Sequence, residues 1–183
     1  MPKVSITNKK GLVQSSGTGL TVGSDTVIDG VLNVTGGTRH TVVRSGGGTT
    51  TLVAANSGAV CQFDIPGAST FVLPAPLLGM SFTFLSTVTA TADHVIQAAT
   101  DDQGFLGGVQ IMNTTADQSN AFSAAVDGAN DFITLNGTTT GGIAGTSLTV
   151  HAVSGSSAAG CWAVQGQLIG SGNTISPFAD SQI

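Results

Sequence analysis

Glutamate and tyrosine are missing altogether from this 183-residue chain, and lysine and arginine stop at Arg44. Charged residues make up only 8% of the sequence, against about 25% in an ordinary soluble domain. Each scarcity excludes something. Phosphate binding needs a basic patch, and none can be drawn after Arg44, so nucleic acid is not expected as a partner. Sugar sites lean on exposed aromatic platforms, and one Trp with no Tyr offers little of that kind. Cys61 and Cys161 stand a hundred positions apart, too few for a disulfide scaffold; the default is two buried reduced thiols, with a bridge open if their strands meet. His40, His94 and His151 show neither H-x-H nor H-x-x-x-H spacing, so no metal and no cofactor is expected. Residues 1–30 lack an apolar run behind a positive start, which predicts no secretory signal and synthesis in the cytoplasm.

What is present is Ser, Thr, Asn, Gly and aliphatic side chains, a composition that favours strands and turns over helices. Hydrophobic residues reach 40%, enough for a core. In "GLTVGSDTVIDGVLNVTGG", Gly19 to Gly37, Leu20, Val22, Ile28, Leu32 and Val34 share one parity and polar residues the other, with Val27 and Val31 as exceptions. A period of two is a strand with one apolar face. A short ribbon of this kind is marginal alone and needs a partner surface.

Charge divides the chain as well. Residues 1–44 hold all five basic side chains and two aspartates, a net of +3, whereas the remainder holds eight aspartates and no Lys or Arg. The expected organisation is an extended basic N-terminal β arm over 1–48, closed by "SGGG", and a body over 49–183. In the body, short strand-like runs recur every ten to twenty residues between turn signals, which predicts an all-β sandwich or jelly-roll-like fold. Phe63, Phe71, Phe82, Phe84, Phe132, Leu135, Leu148, Val150, Trp162, Val164 and Leu168 are its expected core. "SNAFSAAV", Ser119 to Val126, is the one expected helical turn. Residues 71–92 are uncharged and long enough to cross a bilayer, but Pro74, Pro76 and the Ser/Thr run argue for strands and a turn instead.

Catalytic patterns are scarce. "GTGLTVG" lacks the strand-before and helix-after setting of a nucleotide loop. Asp101 and Asp102 are neighbours that point apart on an extended chain, in the turn-like "DDQG". Asp93-His94 has no G-x-S-x-G elbow to serve. The expectation is a protein that is not an enzyme.

The ribbon resembles β segments near the N-termini of tailed-phage fibre and head-fibre proteins. The remainder, with "FVLPAP", "MSFTFL", "DDQG", "DFITLNGTTTGG", "GCWAVQGQLIG" and "ISPFADSQI", looks like small capsid decoration (cement) proteins and related structural proteins of marine tailed phages. The resemblance implies no reaction. It implies a homotrimer on the outer surface of the virion, clamping the major capsid protein shell through its arm, here Met1 to Arg44, with no membrane contact. The expected capsid-binding residues are Lys3, Val4, Ile6, Lys9, Lys10, Leu12, Arg39 and Arg44. The residues expected to face a second copy are Leu20, Val22, Ile28, Leu32 and Val34; from the residues alone, dimer and trimer both stay open. The rival readings are a tail-fibre, collar or head-fibre module, a glycan-binding adhesin and, last, a depolymerase.

Overall fold

The computed structural model describes residues 39–125, 129–154 and 160–180, together with the backbone of 6–7 and 11–12. The arm and ribbon positions Lys3, Val4, Lys9, Lys10, Leu20, Val22, Ile28, Leu32 and Val34 lie outside the described residues. Two units divide the chain, Met1–Thr38 and Arg39–Ile183. In the first, β1 (Ile6–Thr7) pairs antiparallel with β2 (Gly11–Leu12), in the register Ile6 to Leu12.

The second unit is an all-β sandwich. Its strands are β3 (Val42–Arg44), β4 (Gly48–Thr51), β5 (Val60–Phe63), β6 (Ser69–Val72), β7 (Ser81–Ser86) and β8 (His94–Gln97). After these come β9 (Phe105–Asn113), β10 (Gln118–Ser123), β11 (Phe132–Leu135), β12 (Ser147–Val153), β13 (Cys161–Gly170) and β14 (Phe178–Ala179). A seven-stranded sheet runs β10-β9-β13-β12-β7-β5-β3 and a five-stranded sheet β14-β11-β8-β6-β4.

The first six strands of this unit alternate between the two sheets. β3, β5 and β7 pair parallel in one, and β4, β6 and β8 pair parallel in the other. The chain therefore winds as a flattened solenoid of three coils, one turn carrying Val42 to its partner Val60 and a later one carrying Ser69 to His94. Parallel strands of one sheet need a crossover between them, and here the opposite sheet's strand is that crossover. The last strands close the sandwich. β9 and β10 form a hairpin, β12 lies antiparallel between β7 and β13, and β13 runs parallel to β9.

Strand alternation builds the core. In "SFTFLS" of β7, Phe82, Phe84 and Ser86 point inward while Ser81, Thr83 and Leu85 remain half-buried on the other face. Phe63 meets Phe71 edge-on at 5.0 Å between centroids, and Phe82 packs against the fully buried Trp162 at 5.7 Å. Each large side chain buried in this way contributes about 1.5–3 kcal/mol before entropy is subtracted.

Three expectations are corrected. The compact unit begins at Arg39, so the arm does not run to residue 48: β3 hydrogen-bonds to β5, and β4 to β6, as integral first-coil strands. Within "SNAFSAAV", Ser119 to Ser123 belong to strand β10, because every residue of Gln118–Ser123 finds a ladder partner on β9, which outweighs the local capping signal. Phe132 is half-buried, and its neighbour Ile133 takes the core position. The remaining expected core residues are buried. Residues 71–92 contain the end of β6, a loop and β7, and among the described residues no helix is long and apolar enough to cross a membrane.

Candidate interaction surfaces

The polar residues singled out for chemistry are mostly structural in their settings. His94 is fully buried. Its ring stacks on Phe63 at 4.5 Å and 5°, and its Nε2 lies 2.9 Å from the Ile65 carbonyl, while Nδ1 has no hydrogen-bond partner. Burial pushes its pKa below the ordinary histidine value. An imidazole enclosed in this way packs the sandwich and is closed to substrate. Asp102 accepts a hydrogen bond from the Thr100 hydroxyl on the β8–β9 turn.

Asp131, just before β11, is 3% exposed with one unpartnered carboxylate oxygen. Burial raises its pKa, and the charges of Asp101 and Asp180 raise it further. No group of three or more His, Cys, Asp or Glu side chains among the described residues converges closely enough to hold a metal ion. Cys61 and Cys161 are free, buried thiols; burial pushes Cys61 up to about 12 and raises Cys161 as well.

At the start of the compact unit, Arg39 and His40 are exposed, and His40 Nδ1 lies 2.8 Å from the Gly58 carbonyl oxygen. Arg44 pairs with Asp64 at 2.6 Å, although its side chain stays 69% exposed. The Gly46 amide, opposed by burial, and then the Ser45 hydroxyl and the Arg44 guanidinium hold the Asp64 carboxyl below the usual carboxylate range. Of the cations expected to dock on a shell, Arg44 thus already has a partner within its own unit. Because only the Arg44 end of the pair is exposed, solvent screens it from that side and it fixes a loop more than it supports the fold.

Over five adjacent strands the outer face of the seven-stranded sheet is distinctive because charge is absent from it. No residue of the adjacent strands β10, β9, β13, β12 and β7 is Asp, Glu, Lys or Arg. Register lines Thr83, Thr149, Gln165, Gly108 and Ser123 into one row across these strands, and Leu85, Ser147, Gln167, Gln110 and Ala121 into the next. Thr83 and Thr149 hydroxyls meet at 3.2 Å, and Gln110 Nε2 donates to Ser119 Oγ at 2.8 Å.

Glycines thin the sheet here. Gly107, Gly108 and Gly166 open a groove of about 940 Å³ that Leu106, Ala121, Phe122, Ser123 and Gln165 also line. Side chains cannot replace them freely. A Cβ on Gly166 would stand 2.5 Å from Leu148 Cβ and 2.6 Å from the Ser147 carbonyl oxygen.

A second surface lies at the corner between β6 and β7. Leu77 is 60% and Leu78 75% exposed, in a loop that is nonetheless braced. Met80 N donates to the Leu77 carbonyl, Gly79 N to the Ala152 carbonyl, and Pro76 rests close against Gly160. In the sequence Pro74 and Pro76 argue for a turn, and Leu77 and Leu78 follow directly before Gly79. Their position off any strand was the available signal.

No known protein family matches the chain, and no curated protein is significantly similar to it.

Proposed function

We propose that the chain is a viral structural protein that decorates and stabilises the outer surface of a phage capsid, without catalysing a reaction. It is a homo-oligomer whose N-terminal segment binds the major capsid protein. The observation that carries this reading is the division at Arg39. A segment rich in Lys and alternating apolar residues precedes a compact β unit with an uncharged five-strand face. Charge depletion of that kind is the compositional mark of permanent protein–protein contact. Lys3, Lys9 and Lys10 complement an acidic shell and set on-rate and salt dependence more than affinity. Apolar alternation in the ribbon suits strand addition to a neighbouring sheet edge.

Deleting residues 1–38 tests the reading. The truncated chain should keep the β-rich circular dichroism spectrum of the full chain and lose binding to undecorated heads. Retained binding by the folded truncation would remove the arm from the proposal. A fibre or collar role is the second reading. Copy number separates the two, since hundreds per virion mean decoration and a dozen or fewer mean a fibre or collar.

A further inference from the structure

We infer that Asp131 and Asp101 hold a calcium ion at one end of the five-stranded sheet, in a site built from oxygen donors.

Three stretches of chain meet there. Ala98 N donates to the Asp131 carbonyl at 2.9 Å, Phe105 N to the Asn130 carbonyl at 2.7 Å, and Asp131 N to the Ala179 carbonyl at 3.2 Å. The β8–β9 turn, the residues before β11 and the chain after β14 are thereby tied together, and each brings a carboxylate: Asp101, Asp131 and Asp180. Asn130 orients the last of these, its Nδ2 donating to Asp180 Oδ1 at 3.0 Å. The Asp101 carboxyl comes within hydrogen-bonding reach of the Asp131 carboxyl, so two acceptors face each other.

Surface carboxylates often cluster, and water screens them. Asp131 differs, because it is 3% exposed and its Oδ1 has no hydrogen-bond partner. A second buried oxygen without a partner, Gln103 Oε1, belongs to the same β8–β9 turn as Asp101. A buried carboxylate is protonated, paired with a cation or bound to a metal. The described guanidiniums, Arg39 and Arg44, are not among the groups that act on Asp131, and Arg44 is held by Asp64. No Lys or Arg follows Arg44 in the sequence. A proton shared by Asp101 and Asp131 removes one charge and leaves Asp180 beside them unbalanced, whereas a divalent ion removes two and accepts further oxygens.

The donors select the ion. Carboxylate and amide oxygens suit a hard cation rather than zinc or copper. Calcium takes about six to eight oxygens in flexible geometry, backbone carbonyls and water included, so it does not demand a complete cage of side chains. Two facing carboxylates, rather than three convergent ones, are what the described residues offer. Trp162 is a built-in reporter: it is the one Trp of the chain, and its backbone N donates to the Gly104 carbonyl, on the same turn as Asp101.

Full-length protein stripped with a chelator and returned to calcium at pH 7.5 tests the site. At about one hundred times its dissociation constant, calcium should raise Tm by roughly 5–10 °C. Terbium, excited through Trp162, should luminesce and be displaced by calcium. Asp131→Asn keeps the shape, removes the buried charge and should abolish both responses. Asp101→Asn, at an exposed position that the fold does not depend on, should weaken terbium binding about tenfold or more. Asp117→Asn, on the β9–β10 turn at the other end of β9 from Phe105, should change neither response.

A Tm that does not respond to calcium overturns the inference, as does terbium emission that survives Asp101→Asn or falls equally in Asp117→Asn. Stability that rises on acidification from pH 6 to 4 with no response to calcium assigns the pair to a shared proton and likewise overturns the ion. Because the whole site lies in the compact unit, its test is independent of particle binding.

Discussion

Replacing His94 by Phe should flatten the acid side of the stability profile. His94 is buried and neutral, with its pKa pushed below the ordinary value of 6.5. In the unfolded chain it takes up a proton as pH falls through about 6.5, whereas the folded chain resists until its lowered value is reached. Stability from this group is therefore fully present above 6.5 and is lost as pH falls through the window between the two values. One proton bound only by the unfolded state gives a slope approaching about 1.4 kcal/mol per pH unit. For a unit of this size that is roughly 3–6 °C in Tm per pH unit.

Asp131 works in the opposite sense. Its raised folded pKa returns stability as pH falls through the carboxylate range, so wild type and variant must be compared at each pH. The Phe ring preserves the stack on Phe63 and leaves the Ile65 carbonyl without its imidazole partner, a cost of about 1–3 kcal/mol that does not vary with pH. Urea melts of both proteins from pH 7.5 to 5.0 provide the assay. Converging curves on acidification are expected, and parallel curves would show that His94 does not couple protonation to folding.

Two other consequences follow from packing. Gly166→Ala should destabilise by about 1–3 kcal/mol, because the new methyl meets the β12 backbone and Leu148 rather than a movable side-chain tip; a urea midpoint within error of wild type would contradict the close approach. Cys61 and Cys161 should stay inert to a thiol reagent at pH 8 in the folded protein and react together in denaturant, since a buried thiol disfavours thiolate formation. Rapid labelling of either native thiol would contradict their burial.

How much was legible in the sequence differs between local and long-range features. The strand parities of "MSFTFLS" and "GCWAVQGQLIG" placed Phe82, Phe84, Trp162, Val164 and Leu168 in the core, and they are there. At "DFITLNG" size outweighed parity in the expectation: Phe132 and Leu135 point to opposite faces, and Ile133, which shares the parity of Leu135, takes the core position. At "SNAFSAAV" a local capping signal lost to the ladder with β9. The boundary at residue 48 was placed on the glycine stop, but that run is a coil corner, and Gly46, Gly47 and Gly48 all take positive φ to turn it.

The sequence by itself determined the all-β class, the burial of most of the large residues it singled out for the core and the scarcity of charge, because side-chain alternation and composition depend only on neighbours along the chain. Tertiary structure decided the coil winding, the uncharged face and the groove. Thr83 reaches Thr149 across 66 positions, and Trp162 lies beside Phe105 on a parallel strand. Such pairings are selected by burial of whole faces against one another, and no local pattern specifies which strand a given strand will choose.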